Sequence, residues 1–225
     1  MRRKDLQSGL KDKSHIGSGP HEVKMDRDWI KIENFLTRDI ADLLYGYVLL
    51  ADRRLRVLKE NDINSSLPHL GNIYGTIGDS QSDCNFACYG DLIFDTILLG
   101  KVSELQSAIG LGLIPQYTYY RLYTNGSELI KHKDRPSCEI SGTMCIGYES
   151  HYNWPIFFTD KNGQDISVEL NPGDLVLYKG CDLEHWREPF EGTNHAQVFL
   201  HYTNKDGQYN DYKFDHRIGL GVATQ

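Results

Sequence analysis

No stretch of the sequence approaches the roughly 18 consecutive apolar residues of a membrane-spanning helix, so no span is expected. The opening MRRKDLQSGLKDK is basic but has no apolar segment behind it. It does not read as a secretory leader, and a cytoplasmic protein is expected. Basic residues are in deficit, 24 Lys and Arg against 31 Asp and Glu, for a net charge of -7. Non-specific nucleic-acid binding rests on a basic surface, so no nucleic-acid partner is expected. Cysteine is scarce and odd in number. The five, Cys84, Cys88, Cys138, Cys145 and Cys181, fit reduced thiols better than a disulfide framework. Cys84 and Cys88 have no second pair at a spacing that would complete a zinc site. Internal repeats and low-complexity blocks are absent as well.

What is present is a chain of 225 residues, 40% hydrophobic, long enough for one domain with a sizeable core. Residues 1–28 lack any apolar period and read as a flexible N-terminal tail. From Trp29, WIKIENFL alternates like a strand. Thr37 is a plausible N-cap, and Ile40, Leu43, Leu44 and Tyr47 then keep the spacing of an amphipathic helix. Between Asn61 and Gly90 no periodic segment survives, and a loop-rich region with a functional role is expected. Asp91 to Ile109 reads as one helix whose stripe is Leu98, Val102, Leu105 and Ile109, ended by Gly110.

Beyond Gly110 the period changes to two. Strands are expected at Tyr117 to Tyr123, Ile140 to Tyr148, Trp154 to Thr159, Ile166 to Leu170, Asp174 to Tyr178 and Ala196 to Tyr202, with turn residues between them. Helices followed by many short strands give a mainly β (α+β) fold. The expectation is one domain over 29–225, a jelly roll of about 117–202 braced by a helical support of about 29–112. The last stretch, from Asn204 to Gln225, carries no assignable pattern.

His132 and Asp134 stand two apart, and on an extended strand such residues share a face. Alone, such a pair fits a surface histidine with an acidic neighbour equally well. A third ligand is offered by His185, which follows the buried run Leu175, Val176 and Leu177 after the tight turn Asn171-Pro172-Gly173-Asp174. Two imidazoles and one carboxylate bind one face of an octahedral Fe(II) and leave the other positions open. Arg135 is expected to brace Asp134, with contact to a substrate as the alternative. Trp154 and Trp186 fit the core or the pocket rim, and His151, His201 and His216 are read as structural or surface groups.

With H-K-D at 132–134 and the run GDLVLYKGCDLEHWREPFEG at 173–192, the chain resembles the Fe(II)/2-oxoglutarate-dependent dioxygenases. It is most similar to their prolyl 4-hydroxylase-like branch, and WIKIENFLTRDIADLLYGYVLL at 29–50 is similar to the strand and helix that open that branch. The resemblance covers residues 29 to 202. It implies a double-stranded β-helix of cupin-like type, Fe(II) on His132, Asp134 and His185, and 2-oxoglutarate as co-substrate. It also implies an enzyme that hydroxylates an aliphatic C–H bond, prolyl residues of a peptide or protein being the first guess, while O2 and 2-oxoglutarate become succinate and CO2.

The family holds the far carboxylate of 2-oxoglutarate with an Arg or Lys downstream of the second histidine, followed two residues later by a hydroxyl. At that place stand His195 and Gln197, a departure from the pattern. A protonated His195 could serve, with Arg121 and Arg187 as rival donors. Tyr123 and Tyr148 sit where the branch uses tyrosines against the keto acid, and barrel packing explains them equally well. The departure keeps two alternatives open: hydroxylation of a free amino acid or small metabolite, and a cupin-like metal protein that does not use 2-oxoglutarate.

Overall fold

In a computed structural model of the protein, residues 28–63, 74–79 and 81–222 are described. The expected tail lies outside them apart from Asp28. No helix among them is long and apolar enough to cross a membrane.

Strand β1 (Trp29–Ile32) leads into helix α1 (Arg38–Glu60). The stripe that α1 buries is Ala41, Leu44, Val48, Ala51 and Leu55. The expected stripe was rotated from this, since Ile40 and Leu43 are 41% and 69% exposed. Counting bulky residues alone overlooked the two alanines, whose small side chains allow the helix to lie close on the sheet. Each fully buried Leu or Val on this face contributes about 1.5–3 kcal/mol.

The Asn61 to Gly90 region is not loop throughout. Strands β2 (Thr76–Asp79) and β3 (Ser82–Tyr89) form a hairpin within it. On β3 Phe86 and Cys88 are buried in the core, while the alternate residue Asn85 is buried as a polar group, accepting from Ser127 Oγ at 2.7 Å. A strand with polar groups buried on its second face does not show apolar alternation in sequence.

The expected helix 91–109 is two, α2 (Leu92–Gly100) and α3 (Val102–Ile109), broken at Lys101, with Val102 only partly buried at the break. Asp91 caps α2 by accepting from the backbone N–H of Ile93 (2.9 Å) and Phe94 (3.3 Å). Gly110 ends α3 at φ 67°, as its position predicted.

The barrel follows: β4 (Leu113–Thr124), β5 (Leu129–His132), β6 (Ile140–Glu149), β7 (Ile156–Thr159), β8 (Asp165–Val168), β9 (Leu175–Lys179), β10 (His185–Arg187) and β11 (Asn194–Asn204). Two antiparallel sheets result, ordered β1-β9-β6-β11-β4-β3-β2 and β5-β10-β7-β8. This is a jelly roll, as expected, with the helices on the outer face of the larger sheet. Short strands β5 and β10 carried no period of their own in the sequence. His185 is also not a continuation of β9, as the sequence suggested, because the chain turns at Lys179–Leu183 and enters the other sheet.

Alternation sorts the larger sheet. Leu175 and Leu177 pack toward the helices with Ala196, Val198, Leu200 and Tyr202, whereas Val176 and Tyr178 pack between the sheets. On β11 the opposite face carries His195, Gln197, Phe199 and His201, all buried. Three of these four are polar, which a barrel interior accommodates only where partners or ligands are supplied.

The C-terminal segment, unassigned from sequence, includes 3-10 turns over Asn210–His216. It is held by two ion pairs, Arg217–Asp95 at 3.0 Å and Arg135–Asp215 at 2.5 Å.

Candidate metal centre

His132 ends β5 and His185 begins β10, and the two are register partners across the smaller sheet. Their rings lie 4.3 Å apart. Asp134 follows two residues after His132, just beyond the strand, with its backbone N–H donating to the Gly180 carbonyl at 2.9 Å. Asp134 Oδ1 is 3.6 Å from Nε2 of each histidine, and the three ligand atoms all lie within 4.8 Å of one another. Donors bound about 2.1 Å from one ion at right angles would be about 3 Å apart, so a small contraction brings all three onto one metal.

The other ring nitrogens are committed. Nδ1 of His132 faces the Ile130 carbonyl at 2.7 Å, and Nδ1 of His185 faces that of Leu183 at 2.9 Å. A carbonyl accepts, so Nδ1 carries the proton and the Nε2 lone pair is free for a metal. Asp134 Oδ2 accepts from Ser141 Oγ at 2.6 Å, and Ser141 Oγ is itself 3.0 Å from His201 Nδ1.

Burial pushes the Asp134 carboxyl up, but the His132 contact, the charges of His185 and His201 and the Ser141 hydroxyl outweigh it and bring it down to about 2. Asp134 is therefore ionised at neutral pH. Burial lowers His185, with Asp134 only partly opposing it, which favours the neutral imidazole that a metal needs. Burial also acts downward on His132, but its contacts with Asp134 and the Ile130 carbonyl raise it overall.

A cavity of about 430 Å³ opens on the triad, lined among others by Asp79, Gln81, Tyr119, Arg121, Tyr178 and Phe199. Gln81 Nε2 comes within 3.3 Å of His132 Nε2. Arg121 donates from Nε (3.0 Å) and Nη2 (2.6 Å) to Asp79 Oδ2, and from Nη1 to Tyr123 Oη (2.8 Å). Tyr119 Oη donates to the same Asp79 oxygen at 2.5 Å.

The remaining candidates lie further along the barrel interior. Arg187 is 1% exposed, donates from Nη1 to the Trp154 carbonyl at 2.7 Å and lies 4.8 Å over the Trp154 ring. His195 is stacked on Tyr148 at 5.2 Å, and burial together with the Arg187 charge holds it well below the ordinary histidine range. With its amide oxygen turned toward Arg187, Gln197 accepts from Arg187 Nη2 and His195 Nδ1, both at 3.3 Å, and donates to Thr143 Oγ1 and the Met144 carbonyl. Tyr148 Oη donates to Asn153 Oδ1, so that tyrosine has a structural partner.

Arg135 does not brace Asp134 as expected. It pairs with Asp215 on the C-terminal segment, because that carboxylate is buried beside it. The sequence also passed over Ser141, His201, Gly180 and Gln81. His201 alone had a signal, since alternation along β11 puts it on the same face as His195 and Gln197.

No protein-family model matches the chain, and no curated protein matches it either. Solved structures do. A prolyl-4-hydroxylase of Pseudomonas putida is 17% identical, with a TM-score of 0.57 over 80% of this chain and 94% of that one. The non-heme alpha ketoglutarate dependent epimerase SnoN of nogalamycin biosynthesis is 10% identical, with a TM-score of 0.59 over 88% of each chain. A prolyl hydroxylase of Trichoplax adhaerens, solved with a hypoxia inducible factor oxygen degradation domain peptide fragment, is 12% identical, with a TM-score of 0.53 over 80% of this chain and 85% of that one. At these identities the likeness is one of fold, the jelly roll described above.

Proposed function

We propose that this chain is an Fe(II)- and 2-oxoglutarate-dependent oxygenase that hydroxylates an aliphatic C–H bond, with residues 29–225 as one catalytic domain. The observation that carries the reading is the convergence of His132 Nε2, Asp134 Oδ1 and His185 Nε2 at the mouth of a jelly roll. The donor set fits the ion. Two imidazoles whose Nδ1 atoms face carbonyls and one ionised carboxylate make a facial set, and the cavity leaves the opposite side free. His132, Asp134 and His185 would hold the iron.

The keto acid fits as well, because a buried guanidinium, Arg121, lines the same cavity and offers positive charge to its far carboxylate. Iron and 2-oxoglutarate together, when bound, supply the oxidising power to hydroxylate an unactivated carbon, with O2 consumed and succinate and CO2 formed.

The chain's own contributions are positional. Ser141, itself in contact with His201, holds Asp134 Oδ2 and leaves Oδ1 facing the two imidazole Nε2 atoms. The Ile130 and Leu183 carbonyls fix the two imidazoles. Leu129, Tyr178 and Phe199 wall the cavity with apolar surface that limits water near the reacting carbon.

Peptidyl proline is the first substrate to test, since two of the fold neighbours are named as prolyl hydroxylases. A second reading is favoured by the polar wall of the cavity, where Asp79, Gln81 and Tyr119 stand beside Arg121. Such a wall suits a free amino acid or another small polar metabolite. The experiment is to supply Fe(II), 2-oxoglutarate and O2 and to measure succinate, first alone, then with proline-containing peptides, then with free amino acids. Absence of succinate in every arm, together with no charge-transfer absorption on anaerobic addition of Fe(II) and 2-oxoglutarate, would overturn the oxygenase assignment in favour of a metal protein that does not use the keto acid.

A further inference from the structure

Helix α1 lays one side on β6 and β4 and turns the other to solvent. On the solvent side Leu43, Leu50 and Val57 recur every seven residues and are 69%, 65% and 44% exposed. Asp39, Gly46 and Arg53 recur at the same interval between them, and all three are exposed. Successive helical residues advance by about 100°, so the two series form one stripe opposite the buried Ala41, Leu44, Val48, Ala51 and Leu55. A seam of period seven is the pattern of a helix that packs along a second helix. The exposures show that no described part of the chain supplies that partner.

Gly46 stands in the middle of the stripe. Glycine inside a helix is less favourable than alanine, yet a Cβ built at Gly46 meets nothing within 4 Å. Nothing in the chain itself calls for the missing side chain. A facing helix would. Charge then sets the direction of that helix. The stripe is acidic at its start, with Asp39 on it and Asp42 on one flank, and basic further along at Arg53, toward the same flank. Arg38 and Arg56 are bonded to Asp42 and Asp52 within the helix, whereas Asp42 keeps half of its side chain open to solvent. Parallel pairing would set Asp42 on Asp42, and antiparallel pairing sets it near Arg53.

We propose that α1 is the contact between two copies of this chain, packed antiparallel about a two-fold axis. Leu50 of each copy fills the space over Gly46 of the other, Leu43 lies along the stem of Arg53, and Asp42 meets the guanidinium of that residue. A second copy is the occupant because the charges at the two ends of the stripe complement each other in reverse order. Residues 1–27 have no apolar period to lay on it. The cavity on the triad lies on the other face of the larger sheet, so both cavities stay open in the pair.

One helix from each copy makes a small interface, so analytical ultracentrifugation of the full chain from about 1 to about 200 µM is expected to show monomer passing to dimer. No larger species is expected, since the contact is self-complementary and closes on itself. Leu50→Glu is expected to weaken the dimer about a hundredfold, two copies of the side chain being lost at once. Gly46→Leu is expected to abolish the dimer while raising the melting temperature of the dilute monomer. Those two effects have opposite signs, which general damage to the fold would not give. Asp42→Arg is expected to weaken the dimer, and Asp42→Arg/Arg53→Asp to recover it.

Disulfide trapping reads the direction. In a Cys181→Ser background, Leu43→Cys and Arg53→Cys are expected to cross-link when mixed and not when oxidised separately. Each linking to itself would mean parallel pairing and overturn the arrangement. A chain that stays monomeric over the whole concentration range, or a dimer that Leu50→Glu and Gly46→Leu leave intact, would overturn the contact itself. So would dilute Leu50→Glu protein that melts well below wild type, because a part of the same chain would then be covering the stripe.

Discussion

Gly180 is not one of the three proposed ligands, yet replacing it with alanine should weaken metal binding more than it disturbs the fold. A Cβ built at Gly180 falls well inside 3.0 Å of the Cys138 carbonyl oxygen and of Asp134 Oδ2, and 2.7 Å from Ser141 Oγ, whereas real Cβ atoms essentially never come closer than 3.0 Å. The carbonyl belongs to backbone and yields little, so the carboxylate must move by at least half an ångström. That carboxylate is held on two sides, by the Ser141 hydroxyl and by the Asp134 N–H to Gly180 carbonyl bond. Moving it therefore turns Oδ1 away from the point it shares with the two imidazoles. Disturbing such supporting contacts weakens metal affinity about 10- to 100-fold. Overpacking at the same place costs about 1–3 kcal/mol of stability, which leaves an ordinary domain folded. The assay is a competitive Fe(II) or Mn(II) titration of Gly180→Ala beside its melting curve without metal. Wild-type affinity in a variant destabilised by this amount would refute the close approach, since the strain would then have been relieved away from Asp134.

His132→Ala should abolish both metal retention and succinate formation while shifting the metal-free melting point little, because His132 is partly exposed; circular dichroism and metal analysis of the same sample check this. Asp79→Asn leaves the buried Arg121 without its counter-charge and should cost about 3 kcal/mol in urea unfolding, much of it recovered in Asp79→Ala/Arg121→Met. Acid should destabilise the metal-free protein through a buried histidine. Burial holds His201 at about 4 against an ordinary 6.5, so between these values the unfolded chain binds more protons than the folded one. Stability is then full above about pH 6.5 and falls as the pH drops toward 4, by about 2 kcal/mol at pH 5 from this group. His201→Phe should flatten that slope, and an unchanged pH profile of unfolding would count against the burial of a neutral imidazole.

The barrel was legible wherever one face of a strand met the core and the other met something polar. On β11 simple alternation already separated Ala196, Val198, Leu200 and Tyr202 from His195, Gln197, Phe199 and His201, and the structure keeps that division. His132, Asp134 and His185 were legible as chemistry, and the geometry brings their ligand atoms together. What could not be read was the strand that carries His185, because three residues of β10 display no period. The β2–β3 hairpin was hidden for a related reason, its second face being polar and buried at Asn85. For the two arginines, spacing ranked Arg121 and Arg187 alike. Only the location of Asp79, brought from a distant hairpin, separates a neutralised guanidinium from an unpaired one.

That separation bears on how the cavity is divided. The unread parts of the chain, the β2–β3 hairpin and the C-terminal segment, both reach the cavity through ion pairs: Asp79 with Arg121 on one wall, and Asp215 with Arg135 on another. Neither pair belongs to the regular strands of the jelly roll alone, since in each the carboxylate comes from an addition and the arginine from the barrel or the ligand loop. Phe214, Asp215 and His216 all hold positive φ, near 60°, a conformation that costs about 1–3 kcal/mol for each such residue unless the surroundings enforce it. The buried bidentate contact of Asp215 with Arg135, together with the Arg217–Asp95 pair, supplies that enforcement. The barrel thus carries His132 and His185 on its own strands and Asp134 just beyond one of them, whereas the added segments supply Asp79 and Gln81 to the cavity wall and Asp215 to its Arg135. Specificity is accordingly sought first in Asp79, Gln81 and Arg135, and the chemistry in the triad.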